Sequence, residues 1–384
     1  MQEKVYINDL SVLYVSPGRR YGTLEKRAIE DALFFRDIGG KPKIFCLANS
    51  ITYQKALEND LEIVVYKKII LRNFDLNYYL FLKNLFTKEK VDLVHCYGLR
   101  YLWVLAFSLR KYQKIGLFVT LNKIYSGSFR KPLYRFLCRR VDTVFCFSER
   151  MKEMLTEWLP VHKRKLIKIG AGIDFYNLVP KKSFTEGKKK IGSIIPFDFD
   201  KEEQFSTLIN SILPMLGNDI GDETGVEFYL YSEVAWAQMP CKQMIVDLLH
   251  EGGIDYKVFL KEKTSFNDVM GNLDLYIGIS TEPLDVNLVN AMVRRVPVVV
   301  PRNGVSEDLW IKNNKPFETY HWEDSRELKC KCLKILDNYE KYLLRLDQHN
   351  NGLIKHHSLA EYINSLSFYY NKIYSQHISR PNKL

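Results

Sequence analysis

The sequence predicts an α/β protein of two doubly wound, Rossmann-like domains. Three observations predict it. Short, continuously apolar runs alternate with stretches of helical length, the pattern of buried parallel strands covered on both faces. A polar segment interrupts this pattern midway, and the pattern then restarts. The 384 residues suffice for two sizeable cores, and 46% hydrophobic with 26% charged residues is ordinary globular composition. That composition excludes collagen-like, disulfide-scaffold and disordered classes.

In chain order, Val12–Val15 is the first apolar run, ended by Ser16, Pro17 and Gly18. A helix is expected from Thr23 to Ile38, because Gly39-Gly40 is a strong stop. Lys43–Leu47, Ile63–Tyr66, Leu93–Cys96, Leu117–Leu121, Thr143–Phe147 and Leu166–Ile169 continue the strand series. Residues 180–187, followed by three lysines, read as a linker. Beyond it Ile191–Ile195, Phe228–Tyr231, Lys257–Leu260, Leu273–Ile279 and Val296–Val300 are strands of a second sheet. Leu359 to about Ser375 is a Tyr-rich helix expected to return to the first domain. The boundaries are thus 1–180, 181–358 and 359–384, with a ligand cleft expected between the carboxyl ends of the two sheets.

The net charge of +11 is unevenly placed. Residues 1–180 hold 31 Lys and Arg against 17 Asp and Glu, a surplus of 14; the remainder hold 25 against 28, a deficit of 3. A basic half joined to a nearly neutral half points to an anionic partner of the first domain. Lys131, Arg135 and Arg139 recur every four residues, on one helical face, beside Leu133, Tyr134, Phe136 and Leu137. That mixture suits an anionic membrane surface. Nucleic acid is not expected, since no recognition signature accompanies the charge. The seven cysteines are scattered, odd in number and without a Cys-x-x-Cys pair, which suits free thiols in a reducing compartment. The first ten residues carry Glu3, Lys4 and Asp9, so a secretory signal is not expected in them. The longest clearly apolar stretch, Leu102–Leu109, is too short to span a bilayer. A cytoplasmic protein, peripheral at the inner membrane face, is the expectation. His356-His357 and Cys330-x-Cys332 lack the spacing of a four-ligand site, so no metal is expected.

Several segments now line up. Val91–His95, Val119–Asn122 and Val141–Ser148 resemble the N-terminal half of GT-B glycosyltransferases of family 4, the retaining, glycogen-synthase-like type. Ile169–Asp174 resembles that family's hinge. Leu273–Ile277, Ser280–Pro283, Asn290–Met292, Val296–Val299 and Gly304–Glu307 resemble its C-terminal signature, in the same order. The resemblance implies a nucleotide-sugar donor, UDP- or GDP-linked, and no required cofactor. It puts Glu282 near the transferred sugar, Lys201 near the diphosphate, and Gly192, Ser193, Val286 and Asn287 around the donor. Asn290 stands where the family has a ribose-gripping glutamate, and Ser193 where it has an arginine. Asp285 and Arg295 replace glycines, and Asn122 replaces a histidine on the acceptor side. His95 is expected to line that side too, with Gly18, Arg19 and Gly22 as an acceptor or phosphate loop. Arg294 and Arg295 are read as surface residues.

The function expected is sugar transfer to a lipid-linked or surface-glycan acceptor. The four altered positions, Ser193, Asp285, Asn290 and Asn122, motivate an alternative: a catalytically impaired GT-B protein serving as a binding or scaffold subunit beside a partner protein.

Overall fold

A computed structural model of the chain describes residues 10–18, 21–67, 76–122, 132–176, 178–179, 188–196, 202–216, 226–232, 234–254, 257–262, 265–280, 285–302 and 316–379, with the side chains of 204, 214 and 266 left aside. The chain divides into two compact units, residues 1–170 with 360–384, and residues 171–359.

The first unit is a seven-stranded sheet, all pairs parallel, in the order β3-β2-β1-β4-β5-β6-β7. Its strands are β1 (Ser11–Val15), β2 (Lys41–Leu47), β3 (Glu62–Tyr66), β4 (Leu93–Tyr97), β5 (Gly116–Thr120), β6 (Thr143–Cys146) and β7 (Leu166–Lys168). The helices between them are α1 (Thr23–Asp37), α2 (Ile51–Glu58), α3 (Leu76–Lys88), α4 (Leu102–Ser108), α5 (Pro132–Arg140) and α6 (Glu149–Trp158). Every residue of β1, β4, β5 and β6 is buried, which is why their sequences are apolar without alternation. Helix α1 ends where expected, and Gly39 takes a φ of 92°, the left-handed turn that glycine tolerates. The last helix, α13 (Leu359–Ile378), belongs to this unit and buries Tyr362, Leu366, Tyr370, Ile373 and His377.

The second unit is a six-stranded parallel sheet in the order β10-β9-β8-β11-β12-β13. Its strands are β8 (Lys189–Ile195), β9 (Val226–Ser232), β10 (Val258–Glu262), β11 (Leu275–Ile277), β12 (Val298–Pro301) and β13 (Phe317–Tyr320). Helices α7 (Glu202–Ile212), α8 (Lys242–Glu251), α9 (Phe266–Asn272), α10 (Val286–Val293), α11 (Ser325–Asp337) and α12 (Tyr339–His357) accompany it. The segments entering and leaving this unit lie side by side: the Ile173 amide donates to the His357 carbonyl and the Leu359 amide to the Ile173 carbonyl, each at 2.8 Å.

The expected strands are present, with ends shifted by a few residues. Strand β13 escaped the sequence analysis because Phe-Glu-Thr-Tyr, at a sheet edge, has no continuous apolar run. The expected linker at 180–187 lies outside the described residues. Strand order reverses between β1 and β4 in one sheet and between β8 and β11 in the other, so the loops after these strands are where such sheets bind ligands. Among the described residues no helix is long and apolar enough to cross a membrane.

Candidate functional site

At the switch of the first sheet, Ser16, Pro17 and Gly18 are buried after β1, and Gly22 opens α1. The Gly22 amide donates to the Glu25 carboxylate at 3.1 Å, so the helix start already holds an anion of its own. Asn122 lies two residues beyond β5 and is only 2% exposed. Arg19, the expected cation of this loop, lies outside the described residues.

His95 is not at the rim, which corrects its expected acceptor-side role. It sits within β4, fully buried. Its Nδ1 shares a hydrogen bond with the Tyr370 hydroxyl at 2.5 Å and its Nε2 one with Thr120 Oγ1 at 2.7 Å. Both ring nitrogens are therefore engaged inside the protein. Burial, aided by the nearby Arg27 charge, pushes its pKa down to about 3, so the ring is neutral at physiological pH.

Next to it is a buried polar cluster that the sequence analysis missed. Arg27 and Asp31, one turn apart on α1, form an ion pair at 2.9 Å. Tyr97 donates to Asp31 at 2.5 Å, and Tyr362 of α13 donates to the same carboxylate at 2.8 Å. The Arg27 guanidinium lies 3.9 Å from the centroid of the Tyr362 ring. Burial raises the Asp31 pKa, opposed by Arg27 and the tyrosine hydroxyls. The available signals were the i,i+4 Arg27/Asp31 pair and the eight-residue spacing of Tyr362 and Tyr370. Neither names its partner before the chain folds back.

At the switch of the second sheet, Glu282 and Lys201, the expected sugar and diphosphate contacts, lie outside the described residues. Three other expectations are corrected, those for Ser193, Asn290 and Arg294. Ser193 lies inside β8, fully buried, and its hydroxyl donates to the Ile277 carbonyl at 2.7 Å, so it ties two strands together. At Gly192, inside β8, a Cβ would stand 2.6 Å from Leu273 Cδ2 and 3.0 Å from the Tyr229 carbonyl, so the strand has room only for glycine there. Asn290 is fully buried in α10; it donates to the Val286 carbonyl at 3.0 Å and accepts from Arg294 at 2.6 Å. Arg294 is 4% exposed, not a surface residue, and also donates to Asn267 at 2.8 Å. Its position at the C-terminal end of α10 suits a cation.

Val286 and Asn287 form the first turn of α10, and Asp285 caps it, accepting from the Asn287 amide at 2.9 Å. Gly278 carries no side chain where a Cβ would meet Val300 at 3.0 Å and Asp285 Oδ2 at 3.5 Å. Arg295 adopts a φ of 61°, the conformation that explains why glycine suits that position, and it pairs with Asp347 at 2.8 Å.

On the basic face, Arg135 and Arg139 of α5 are exposed, and Lys131 lies outside the described residues. Six cysteines are buried and Cys330 is exposed. No group of three or more His, Cys, Asp or Glu side chains placed to hold a metal ion occurs among the described residues.

Residues 36–175 match the family Glycosyltransferase Family 4. No curated protein sequence matches the chain. Among solved structures, a glycosyltransferase from Rickettsia africae is similar with a TM-score of 0.75 at 16% identity, covering 95% of this chain and 98% of that one. HepE of Anabaena, solved in complex with UDP-glucose, gives 0.74 at 15% identity over 94% and 100%. TarM of S. aureus, a point mutant in complex with fondaparinux, α-GlcNAc-glycerol and UDP, gives 0.67 at 11% over 95% and 99%. The chain thus has the GT-B fold of two Rossmann-like domains, and its first unit carries the sequence pattern of Glycosyltransferase Family 4.

Proposed function

We propose that the protein is a nucleotide-sugar-dependent glycosyltransferase acting, with retention, on a lipid-linked or surface-glycan acceptor. The observation that carries this reading is the match of residues 36–175 to a glycosyltransferase family within a chain that is GT-B over nearly its full length. The complexes of similar structures with UDP-glucose and UDP support a nucleotide-sugar donor. In this proposal Glu282 faces the transferred sugar, Lys201 the diphosphate, and Arg19 and Asn122 the acceptor side. A departing nucleotide gathers negative charge, which cations and helix N-termini stabilise without a metal. Asn290 has no ribose role in the proposal, because its amide is spent on Val286 and Arg294. The protein would act in the cytoplasm, peripheral at the inner membrane face, with its basic first unit toward anionic lipid.

Three internal hydrogen bonds favour a second reading, a GT-B scaffold subunit without donor chemistry. Ser193 and Asn290 are both turned to internal bonds, and the Asp285 carboxylate occupies the Asn287 amide in the first turn of α10, where a phosphate would compete with it.

A thermal-shift screen with UDP, GDP and their sugars separates the two. Ligand at about 100 times its Kd adds about 2.7 kcal/mol of apparent stability, a clear shift in Tm. The glycosyltransferase reading expects a shift selective for one nucleotide and loss of transfer in Glu282→Ala. Transfer that survives Glu282→Ala removes that residue from the site. Absence of any shift at millimolar ligand favours the scaffold.

A further inference from the structure

A pocket of about 330 Å3 opens in the first unit between α4, α5 and the turn before β7, lined in part by Arg110, Phe136, Arg139, Arg140, Asp142 and Lys165. Gln113, Asp142 and Lys165 precede β5, β6 and β7, so the pocket lies at the N-terminal edge of the sheet. The loops at the two switch points follow the C-terminal ends of the strands. The pocket is therefore not the donor or acceptor site, and its argument does not rest on the transferase reading.

Its charges are not balanced. Arg140 is consumed internally: it donates to the Leu109, Tyr112 and Ile115 carbonyls and pairs with Asp142 at 3.2 Å. Asp142, the acidic side chain of the lining, also meets His377 Nε2 at 3.0 Å and accepts from the Leu117 amide at 2.9 Å. Those partners hold its carboxyl below the usual range despite burial, so it stays a satisfied carboxylate. Lys165 is anchored on the Arg139 and Val141 carbonyls and contributes a fixed charge. Arg110 and Arg139 are exposed, and among the described residues neither guanidinium has a hydrogen-bond or ion-pair partner. Arg110 rests 5.9 Å from the Phe136 ring centroid. A concave surface of one sign focuses its field on an incoming ion.

We propose that this pocket binds a phosphate group, presented by a lipid headgroup. Two planar forks and an ammonium match the oxygens of a phosphate ester. The lipid source follows from the flank. Leu133 is 47% exposed and Phe136 39%, and with Arg139 they recur every three residues along α5. An apolar shoulder beside exposed arginines suits an amphiphile with a phosphate at its head.

The test is co-sedimentation of the full chain with vesicles of phosphatidylcholine alone or mixed with phosphatidic acid, at low salt. Calorimetry with sn-glycerol 3-phosphate runs in parallel. Binding to the anionic vesicles is expected, and R110A/R139A should weaken it at least tenfold, while R110K/R139K retains most of it. The residues are exposed, so the variants should keep the wild-type Tm. Lys341→Ala, in the second unit, should leave binding unchanged. Glycerol phosphate binding lost in R110A/R139A, without vesicle binding, keeps the pocket and assigns it to a soluble phosphate. Equal weakening by Arg135→Ala, on α5 but outside the lining, overturns the pocket in favour of diffuse helix charge. So does wild-type binding by R110A/R139A, or binding of neither probe.

Discussion

His95 illustrates how a residue's environment decides its chemistry. An exposed histidine at a strand end titrates near neutrality and can serve a reaction. Here desolvation lowers the pKa from 6.5 to about 3, while the unfolded chain keeps the ordinary value. The folded protein therefore binds fewer protons than the unfolded one between those limits. Stability from this group is complete above about pH 6.5 and is lost as pH falls toward 3. Urea unfolding across pH 3.5–8 should show this, and His95→Gln should flatten the slope. Comparing variant with wild type cancels Asp31, whose pKa is raised, and Asp142, whose pKa is lowered. Parallel curves for the two proteins would rule the account out.

Arg294 and Asn290 carry the same lesson. Two adjacent arginines in a polar turn look solvated in sequence. The structure buries Arg294 against Asn290 and Asn267 and sends Arg295 outward to Asp347. Nothing local distinguishes these neighbours, because the left-handed turn at Arg295 sets their directions.

At the scale of elements, each helix start is a small contest for free amides. Ser50 caps α2, Ser148 caps α6, Ser265 caps α9 and Asp285 caps α10, each accepting from an amide of the first turn. Asp285→Ala should cost about 1 kcal/mol of stability, read from denaturant midpoints. On the transferase reading the same variant also vacates the amide for phosphate, so nucleotide affinity should not fall with stability. A joint loss of both would show Asp285 to be a ligand contact.

The strands show what periodicity reveals and what it hides. Continuous apolar runs identified the buried parallel strands, since every residue of β1, β4, β5 and β6 is buried whichever face it points to. The same criterion passed over β13, whose pattern mixes Glu and Thr with aromatics at an edge. Gly192 stands at a motif position that the resemblance assigns to the donor. Within β8 its bare Cα also admits Leu273, a neighbour 81 positions away, which no local pattern announces.

At the scale of the molecule, the chain's last helix completes its first unit. Tyr362 and Tyr370 of α13 supply hydroxyls to Asp31 and His95, and His377 bridges the Gln113 carbonyl and Asp142. Without α13 these buried polar groups lose partners, at a cost of about 1–3 kcal/mol each. A fragment of residues 1–170 should therefore fail to fold alone and recover when 359–384 is supplied. The contiguous fragment 171–359 should fold by itself. Circular dichroism melts of the fragments test both; a cooperative melt of 1–170 alone would contradict the dependence.

Composition and pattern by themselves determined the α/β class, the succession of strands along the chain except β13, and the uneven charge, while particular motif segments carried the resemblance to family 4. Those properties depend on local spacing and on which residues tolerate burial. Only the tertiary structure decided which polar residues face ligands and which face each other. His95, Ser193 and Asn290 were chosen by position in a motif, but hydrogen-bond partners come from other strands and helices. A buried polar group is held to whichever partner the fold delivers, because leaving it unpaired costs more than a motif's position can offset.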